Sequence, residues 1–176
     1  EQVSESSGKD AISKSAKTGR ILDVQNLNEI ISEKKQERIS SGIKDLDTVL
    51  GGGILPAGVL LIAGQPGIGK STLLMQISSF IASSRPVLYV SGEESAEQVA
   101  LRAQRLGASG SNKLKFASST SADDISATIR EGNFDLVIID SIQTLAMEEI
   151  SSAPGTVSQI TNSSNLIIRA AKKSGT

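Results

Sequence analysis

A glycine-rich stretch near the middle of the chain limits what this sequence can fold into. Residues 64–71 read G-Q-P-G-I-G-K-S and fit G-x-x-x-x-G-K-[ST], the P-loop pattern. Its glycines let backbone N–H groups curl around a triphosphate with no side chains in the way. The apolar residues 59–63 before it predict a strand covered on both faces. An amphipathic helix is predicted to begin near Gly69, so strand, loop and helix follow the order of a phosphate site.

The loop supplies the candidate ligands for a nucleotide. Lys70 is predicted to place its charge on the β- and γ-phosphates, and the Ser71 hydroxyl is predicted to bind Mg²⁺. The helix would point its positive N-terminus at the anion. The residues predicted to bind ATP or ADP are Gly64, Gln65, Pro66, Gly67, Ile68, Gly69, Lys70, Ser71 and Thr72.

Composition excludes several kinds of chemistry. The 176 residues contain no cysteine and no histidine, which removes disulfides, thiol or imidazole catalysis and zinc sites built on those ligands. Basic and acidic residues nearly balance, 18 against 19, so any DNA contact requires a local patch. No apolar run approaches the roughly 18 residues of a membrane helix, and the polar N-terminus lacks the apolar core of a signal peptide. We therefore expect a cytoplasmic protein with no membrane partner.

We expect one core domain preceded by a tail. Residues 1–37 are predicted to be a flexible linker, because the first 20 are rich in Ser and Lys and poor in large apolar side chains. Within it, residues 21–31 regain apolar spacing and are interpreted as a short docking segment. Residues 38–176 are predicted to form the core. Its first helix would be capped by Ser40 or Ser41, and its inward face would comprise Ile43, Leu46, Val49 and Leu50.

Strand and helix patterns alternate through the rest of the core. The apolar runs that predict strands are residues 86–91, 114–118 and 136–140. The helical patterns between and after them are residues 96–106, 122–130 and 160–173. This alternation predicts an α/β fold with a mostly parallel sheet and helices on both faces. Such sheets bind ligands beyond the carboxyl ends of their strands.

Carboxylates follow two of these strands. Asp140 ends an apolar run in the form of a Walker B element and is predicted to hold Mg²⁺; the alternative is an acidic residue that closes a strand before a turn. Glu93 and Glu94 follow the strand expected beside the P-loop strand. We favour Glu93 as the catalytic base for the attacking water, with Glu94 as helix start or support. Both can also begin the next helix, where carboxylates favour the dipole.

Further polar residues lie near the same edge. Ser141 and Gln143, just past the Walker B carboxylate, are predicted to sense the γ-phosphate, although polar residues after a strand are common. Arg102 and Arg105 could approach nucleotide or a neighbouring subunit, but a solvated helix face is favoured.

A loop at residues 148–159 leaves the sheet just after these groups. A shift at the γ-phosphate has a short path to this loop, so we predict that it carries the nucleotide state to DNA. The loop has no Lys or Arg, and its contacts would come from hydroxyls, amides or the start of the next helix. The candidate DNA residues are Thr156, Ser158 and Gln159.

Several of these stretches together resemble one family. R-I-S-S-G-I-K-D-L-D-T-V-L-G-G-G-I followed at once by the P-loop resembles the RecA-like ATPases, the group of RecA, KaiC and the replicative helicases. The stretches V-S-G-E-E-S, I-D-S-I-Q-T-L and S-A-P-G-T-V-S-Q narrow the resemblance to the bacterial RadA (Sms) recombination and DNA-repair ATPases. The resemblance covers residues 38–173.

The resemblance implies a function and a set of roles. It implies a DNA-dependent ATPase that works as a hexameric ring, drives branch migration on single-stranded or branched DNA, and has a recombinase as a further partner. By position it implies Lys70 and Ser71 on ATP and Mg²⁺, Asp140 on the metal and Glu93 in the catalytic role.

The sequence also departs from that family. A four-cysteine zinc element, a K-N-R-F-G motif and a Lon-protease-like domain are not in this sequence, which stops before the next sheet strand. We therefore expect an ATPase core truncated at its C-terminal side. Two other functions stay open: a KaiC-like or signalling ATPase without a DNA role, and a non-hydrolysing nucleotide-binding assembly module. DNA binding by the intact protein would favour DNA repair over the first alternative. ATP turnover by the intact protein would argue against the second.

Overall fold

The computed structural model describes residues 22–27, 37–108 and 110–176. The chain divides into two units, Glu1–Lys35 and Gln36–Thr176. In the first unit, residues 22–27 are exposed. The rest of the predicted linker and docking segment lies outside the described residues. The sheet and the helices that cover it belong to the second unit.

Strands and helices alternate along the second unit. In chain order they are α1 (Lys44–Val49), α2 (Lys70–Ala82), β1 (Val87–Ser91), α3 (Ala96–Arg105), β2 (Leu114–Ser118), α4 (Ala122–Glu131), β3 (Leu136–Asp140) and α5 (Val157–Ser174). One turn of 3-10 helix, Ile142–Thr144, follows β3.

The three strands form a parallel sheet in the order β2-β1-β3. The central strand, β1, has Ser91 opposite Ser118 on one side and opposite Asp140 on the other. Because β1 has a neighbour on each side, all of its residues are buried, whereas β2 and β3 are only partly buried. The carboxyl ends of all three strands meet at one edge of the sheet.

Helices α4 and α5 cover one face of this sheet. Side chains alternate along a strand, so Leu88 and Val90 of β1 point to the same face. There they pack against Ile125 and Ile129 of α4 and Ile167 of α5. The apolar spacing of α4 thus matches its position on the sheet.

Helices α2 and α3 cover the opposite face. In the middle of the sheet, Met75 of α2 packs with Tyr89 of β1 and Ile138 of β3. Near the amino ends of the strands, Ile81 at the end of α2 packs with Val87 instead. Helix α2 therefore runs antiparallel to the strands, and its N-terminus points towards the edge where they end.

Local hydrogen bonds define the helix starts. Ser95 and Gln98 form a capping box at the start of α3, in which each side chain accepts a hydrogen bond from the backbone N–H of the other. Ser121 caps α4 by accepting a hydrogen bond from the Asp124 N–H at 3.1 Å. Thr156 caps α5, which begins three residues earlier than the sequence pattern predicts.

The first helix of the core differs from the prediction in two respects. Neither Ser40 nor Ser41 caps it; instead, the Ser40 hydroxyl and the Ser41 N–H donate to the Asp47 carboxylate, at 2.6 and 2.8 Å. The hydrogen bonds from Ser40 and Ser41 lower the pKa of Asp47. Val49, predicted to face inward, is exposed because this short helix packs on the core through other residues, which are Ile43, Leu46 and Leu50.

The apolar stretch before the P-loop does not form the predicted strand. Residues 59–63 have no regular secondary structure, and the side chains of Val59, Leu60 and Leu61 are 51, 48 and 82 % exposed. A strand needs a neighbour that satisfies its backbone N–H and C=O groups. Among the described residues, β3 pairs only with β1, and its outer edge is not joined to residues 59–63. The stretch has the composition of a buried strand without the pairing that makes one.

We expect Ile125→Ala to lower the free energy of unfolding by about 2–5 kcal/mol, because this fully buried side chain fills the core under α4. Leu101→Ala is the control. The side chain of Leu101 on α3 is largely exposed, so we expect a change within about 0.5 kcal/mol. Urea denaturation followed by circular dichroism measures both changes. Equal losses would contradict this assignment of the α3 and α4 faces.

Candidate functional site

The P-loop and the start of α2 form the first half of the candidate site. Gly67 and Gly69 have φ angles of 76° and 102°, in the left-handed region that favours glycine. An added Cβ at either glycine would meet nothing within 4 Å, so conformation rather than crowding requires these glycines. Among the described residues, no side chain caps α2, and its first turn contains no acidic residue. Its first N–H groups are therefore available to an anion.

The Lys70 ammonium group lies within the curve of the loop. It donates hydrogen bonds to the carbonyl oxygens of Gly64 and Gln65, each at 2.9 Å. Residues 63–69 are exposed, and Lys70 and Ser71 are partly buried at the start of α2. A cation that is bound only to neutral carbonyls can exchange them for phosphate oxygens, which are stronger acceptors.

The carboxyl ends of β1 and β3 form the second half. Asp140 lies opposite Ser91 in the sheet register. Its Oδ2 atom accepts a hydrogen bond of 2.7 Å from the Tyr89 hydroxyl. Burial, followed by the hydrogen bond to Asp140, raises the pKa of Tyr89. The phenol is therefore neutral and remains a donor to the carboxylate.

Glu93 and Glu94 have different partners. Glu93 is exposed, and its Oε1 atom accepts a hydrogen bond of 2.9 Å from the Ser141 hydroxyl. Glu94 is partly buried and forms a salt bridge with Arg102 of α3. Arg102 is therefore not the solvated residue that the sequence favours. It lies on α3 and pairs with Glu94, which stands just before the start of the same helix. Arg105 is exposed.

The direction of α2 turns the P-loop half of the site towards the carboxylate half. Its N-terminus points to the edge that carries Glu93 and Asp140, since its middle and its end pack progressively farther from that edge. Within the described residues, no hydrogen bond or ion pair joins the P-loop to these carboxylates. The fold brings Glu93, Asp140 and Ser141 to one edge, where the Ser141 hydroxyl bonds to Glu93, and it directs the P-loop helix towards that edge.

The residues after Asp140 are only partly engaged. Ser141 contacts Glu93, whereas Gln143 is exposed in the 3-10 helix. The carbonyl oxygen of Gln143 lies 3.6 Å from the position that a Cβ on Gly155 would take. The loop at residues 148–159 therefore packs back against the segment that leaves β3.

Gln159 is not placed to contact DNA, which corrects the sequence-based prediction for this residue. Its side chain is 2 % exposed. Its Oε1 atom accepts a hydrogen bond of 3.0 Å from the Met147 N–H, and its Nε2 atom donates to the carbonyl oxygens of Ile150 and Ser152, each at 2.9 Å. The buried amide ties the loop to α5. The sequence gives no signal for this role, because a glutamine near a helix start is usually exposed.

Thr156 and Ser158 remain on the surface beside it. The Thr156 hydroxyl donates to the Ala153 carbonyl at 2.8 Å and caps α5. Ser158 is exposed in the first turn of that helix. Of the three residues predicted to contact DNA, these two are accessible.

The described residues contain no group of three or more carboxylates that could hold a metal ion by themselves. Nucleotide-bound Mg²⁺ needs only one or two protein oxygens, because phosphates and waters complete its shell. Asp140 fits this requirement, since no described residue donates a hydrogen bond to its Oδ1 atom. In the described part of the chain, no helix has the length and apolar character to cross a membrane.

Comparisons with known proteins agree with this geometry. A family model described as AAA domain matches residues 31–172. DNA repair protein RadA of Pseudomonas aeruginosa is 46% identical over 158 residues, which cover 90% of this chain and 34% of that protein. RadA of Brucella abortus is 46% identical over 167 residues, covering 92% and 35%. RadA of Escherichia coli is 43% identical over 155 residues, covering 88% and 33%. The chain spans about a third of the length of these relatives.

A solved structure shares the fold. The crystal structure of the RadB recombinase aligns with 77% of this chain and 66% of its own, with a TM-score of 0.56 and 24% identity. At this identity the likeness concerns the fold alone, and it confirms the predicted RecA-like α/β architecture. The RadA relatives confirm the resemblance carried by the motifs.

We expect Gln159→Leu to lower the free energy of unfolding by about 2 kcal/mol or more, since buried backbone groups of the loop lose their partners. Ser158→Ala is the matched control in the same helical turn, with an expected change within about 0.5 kcal/mol. Urea denaturation measures both variants. If both are equally stable, the buried amide does not hold the loop.

Proposed function

This chain belongs to the AAA-domain family, and on that basis we propose that it is the ATP-binding and ATP-hydrolysing core of a RecA-like motor that acts in DNA repair and recombination. One observation carries the proposal. Helix α2 begins at the P-loop and points its N-terminus at the edge that carries Asp140 and the hydrogen-bonded pair of Glu93 and Ser141. The phosphate-binding loop and the carboxylates thus face the same region, as the hydrolysis of a nucleoside triphosphate requires.

The nucleotide is bound by residues 64–72. The open N–H groups at the start of α2 would face the phosphates, and Lys70 would exchange its two carbonyl partners for phosphate oxygens. Ser71 and Asp140 would hold Mg²⁺, the first through its hydroxyl and the second through its carboxylate. When bound, Mg²⁺ supplies charge neutralisation on the β- and γ-phosphates.

Glu93 is the group that orients the attacking water and accepts its proton. The partners of the two glutamates support this choice over Glu94. The carboxylate of Glu94 is partly buried and occupied by its salt bridge with Arg102. Glu93 is exposed at the edge, and the Ser141 hydroxyl, which donates to its Oε1 atom, holds it in position. Ser141 also links the base to the Walker B carboxylate next to it, in agreement with a sensor role.

The wider activity belongs to a longer protein of the RadA kind. We propose that this protein binds single-stranded or branched DNA, assembles as a hexameric ring and drives branch migration together with a recombinase. The names of the relatives, which are DNA repair proteins, support the DNA role. The accessible Thr156 and Ser158 at the start of α5 are the remaining candidates for contact with DNA. Gln143 is a second sensor candidate.

Removal of the P-loop lysine tests nucleotide binding. We expect Lys70→Ala to weaken Mg-ADP binding by about 2–3 kcal/mol, or roughly 30- to 150-fold in Kd, because a charged hydrogen bond to phosphate is lost. Isothermal titration calorimetry measures the Kd. Lys115→Ala is the control, since Lys115 is an exposed lysine on the edge strand β2, and it should bind with unchanged affinity. Equal affinities in the two variants would refute the P-loop assignment.

Amide variants of the two glutamates test the base. In the full-length protein, Glu93→Gln should lower ATP turnover roughly 100-fold or more with unchanged nucleotide affinity, because it keeps the shape and loses the proton acceptor. Glu94→Gln should mainly lower stability, since it leaves Arg102 without its charge partner. Glu97→Gln, an exposed glutamate on α3, is the control and should retain turnover. If a folded Glu94→Gln loses more turnover than Glu93→Gln, the assignment is reversed.

A further inference from the structure

Tyr89 places a hydroxyl group inside an otherwise apolar layer of the core. Its side chain is 0 % exposed and packs among Met75, Val99 and Ile138, between the sheet and the helices α2 and α3. The partner of the hydroxyl is Asp140, the last residue of β3, at the edge of the sheet. There it donates to Oδ2 of Asp140 at 2.7 Å. A buried phenol is usually provided with a partner, and here the partner is the carboxylate predicted to hold magnesium.

The sheet register explains why a tyrosine at this position reaches that carboxylate. Tyr89 lies opposite Ile138, and side chains alternate, so Asp140 lies on the same face one step farther along β3. Diagonal neighbours of this kind are within reach of an aromatic side chain but not of a short one. Ser91 lies directly opposite Asp140. Its hydroxyl is used elsewhere, as the acceptor for the Glu94 N–H at 3.0 Å.

The hydrogen bond from Tyr89 makes the two carboxylate oxygens of Asp140 inequivalent. Oδ2 is occupied by the phenol, and no described residue donates to Oδ1. A carboxylate anchored through one oxygen cannot rotate without breaking that bond, so the second oxygen keeps one position. The donor is neutral, which leaves the negative charge of Asp140 available to a cation.

We propose that Tyr89 is a positioning residue for magnesium, whose hydroxyl holds the Asp140 carboxylate so that Oδ1 is presented to the metal of the bound nucleotide. The inference rests on the proposed function, because it takes Asp140 as a magnesium ligand. Groups that orient a metal ligand from behind commonly contribute 10- to 100-fold to metal affinity. A purely structural hydroxyl would contribute to folding and not to metal affinity.

The test is the magnesium dependence of ADP binding, measured by calorimetry, with Mn²⁺ paramagnetic resonance as a direct readout of the metal. Tyr89→Phe keeps the ring that fills the core and removes only the hydroxyl. We expect ADP affinity in EDTA to be unchanged and the metal concentration at half-saturation to rise about 10-fold. Asp140→Asn provides the reference for loss of the carboxylate charge.

The double variant separates positioning from a general effect. If Tyr89 acts through Asp140, Tyr89→Phe should cause no further loss of metal affinity in the Asp140→Asn background. Additive losses would overturn the proposal, and so would an unchanged metal dependence in Tyr89→Phe. If Tyr89→Phe fails to fold while Asp140→Asn folds, the hydroxyl serves stability and the proposal is likewise overturned.

The same series distinguishes failure of the inference from failure of the proposed function. Wild-type chain that binds no ADP, with or without metal, would overturn both. Wild-type chain that binds Mg-ADP and loses it in Lys70→Ala, but whose metal dependence is the same in Tyr89→Phe, would overturn only the role of Tyr89.

Discussion

The parallel pairing of β1 with β3 is the constraint on which the rest of the structure depends. The register places Asp140 opposite Ser91, so that Glu93, two residues beyond the end of β1, reaches the residue after Asp140. A slip of one residue would reverse the faces of every β3 side chain. Tyr89 and Asp140 would then lie on opposite sides of the sheet. The apolar pattern resists the slip, because Ile138 belongs to the core under α2 and α3.

The handedness of the connections indicates on which side of the sheet residues 59–63 belong. Helices α3 and α4 lie on opposite faces, and the connections that contain them cross the sheet in opposite directions, as right-handed crossovers require. Helix α2 shares the face of α3. The same rule therefore assigns the segment before α2 to the β3 side of the sheet. Among the described residues this segment does not pair with β3, and the side chains of Val59, Leu60 and Leu61 are exposed.

The sequence predicts features that depend on local patterns, and it does not predict contacts that form only when the chain folds. Strands such as Leu114–Ser118 and Leu136–Asp140 match their predicted bounds, because apolar runs and flanking turn residues are local features. The P-loop and Asp140 were likewise recognisable from spacing, and their roles as ligands stay predictions. The errors concern residues whose surroundings depend on how the chain folds around them. Gln159 is buried by a loop that folds over it, and Arg102 is paired across a turn. Tyr89 meets a partner 51 residues away, which no periodicity indicates.

The charges at the carboxyl edge explain why neutral donors are used there. The edge collects three carboxylates, those of Glu93, Glu94 and Asp140. Their combined charge would repel a triphosphate, and Arg102 removes one of the three. Tyr89 and Ser141 hold the other two in place through hydroxyl groups, which fix position without cancelling charge. A lysine or arginine in either place would compete with magnesium for the carboxylate. In the proposed function, a cation between these carboxylates and the triphosphate would offset the repulsion, and Lys70 of the P-loop would add attraction to the phosphates.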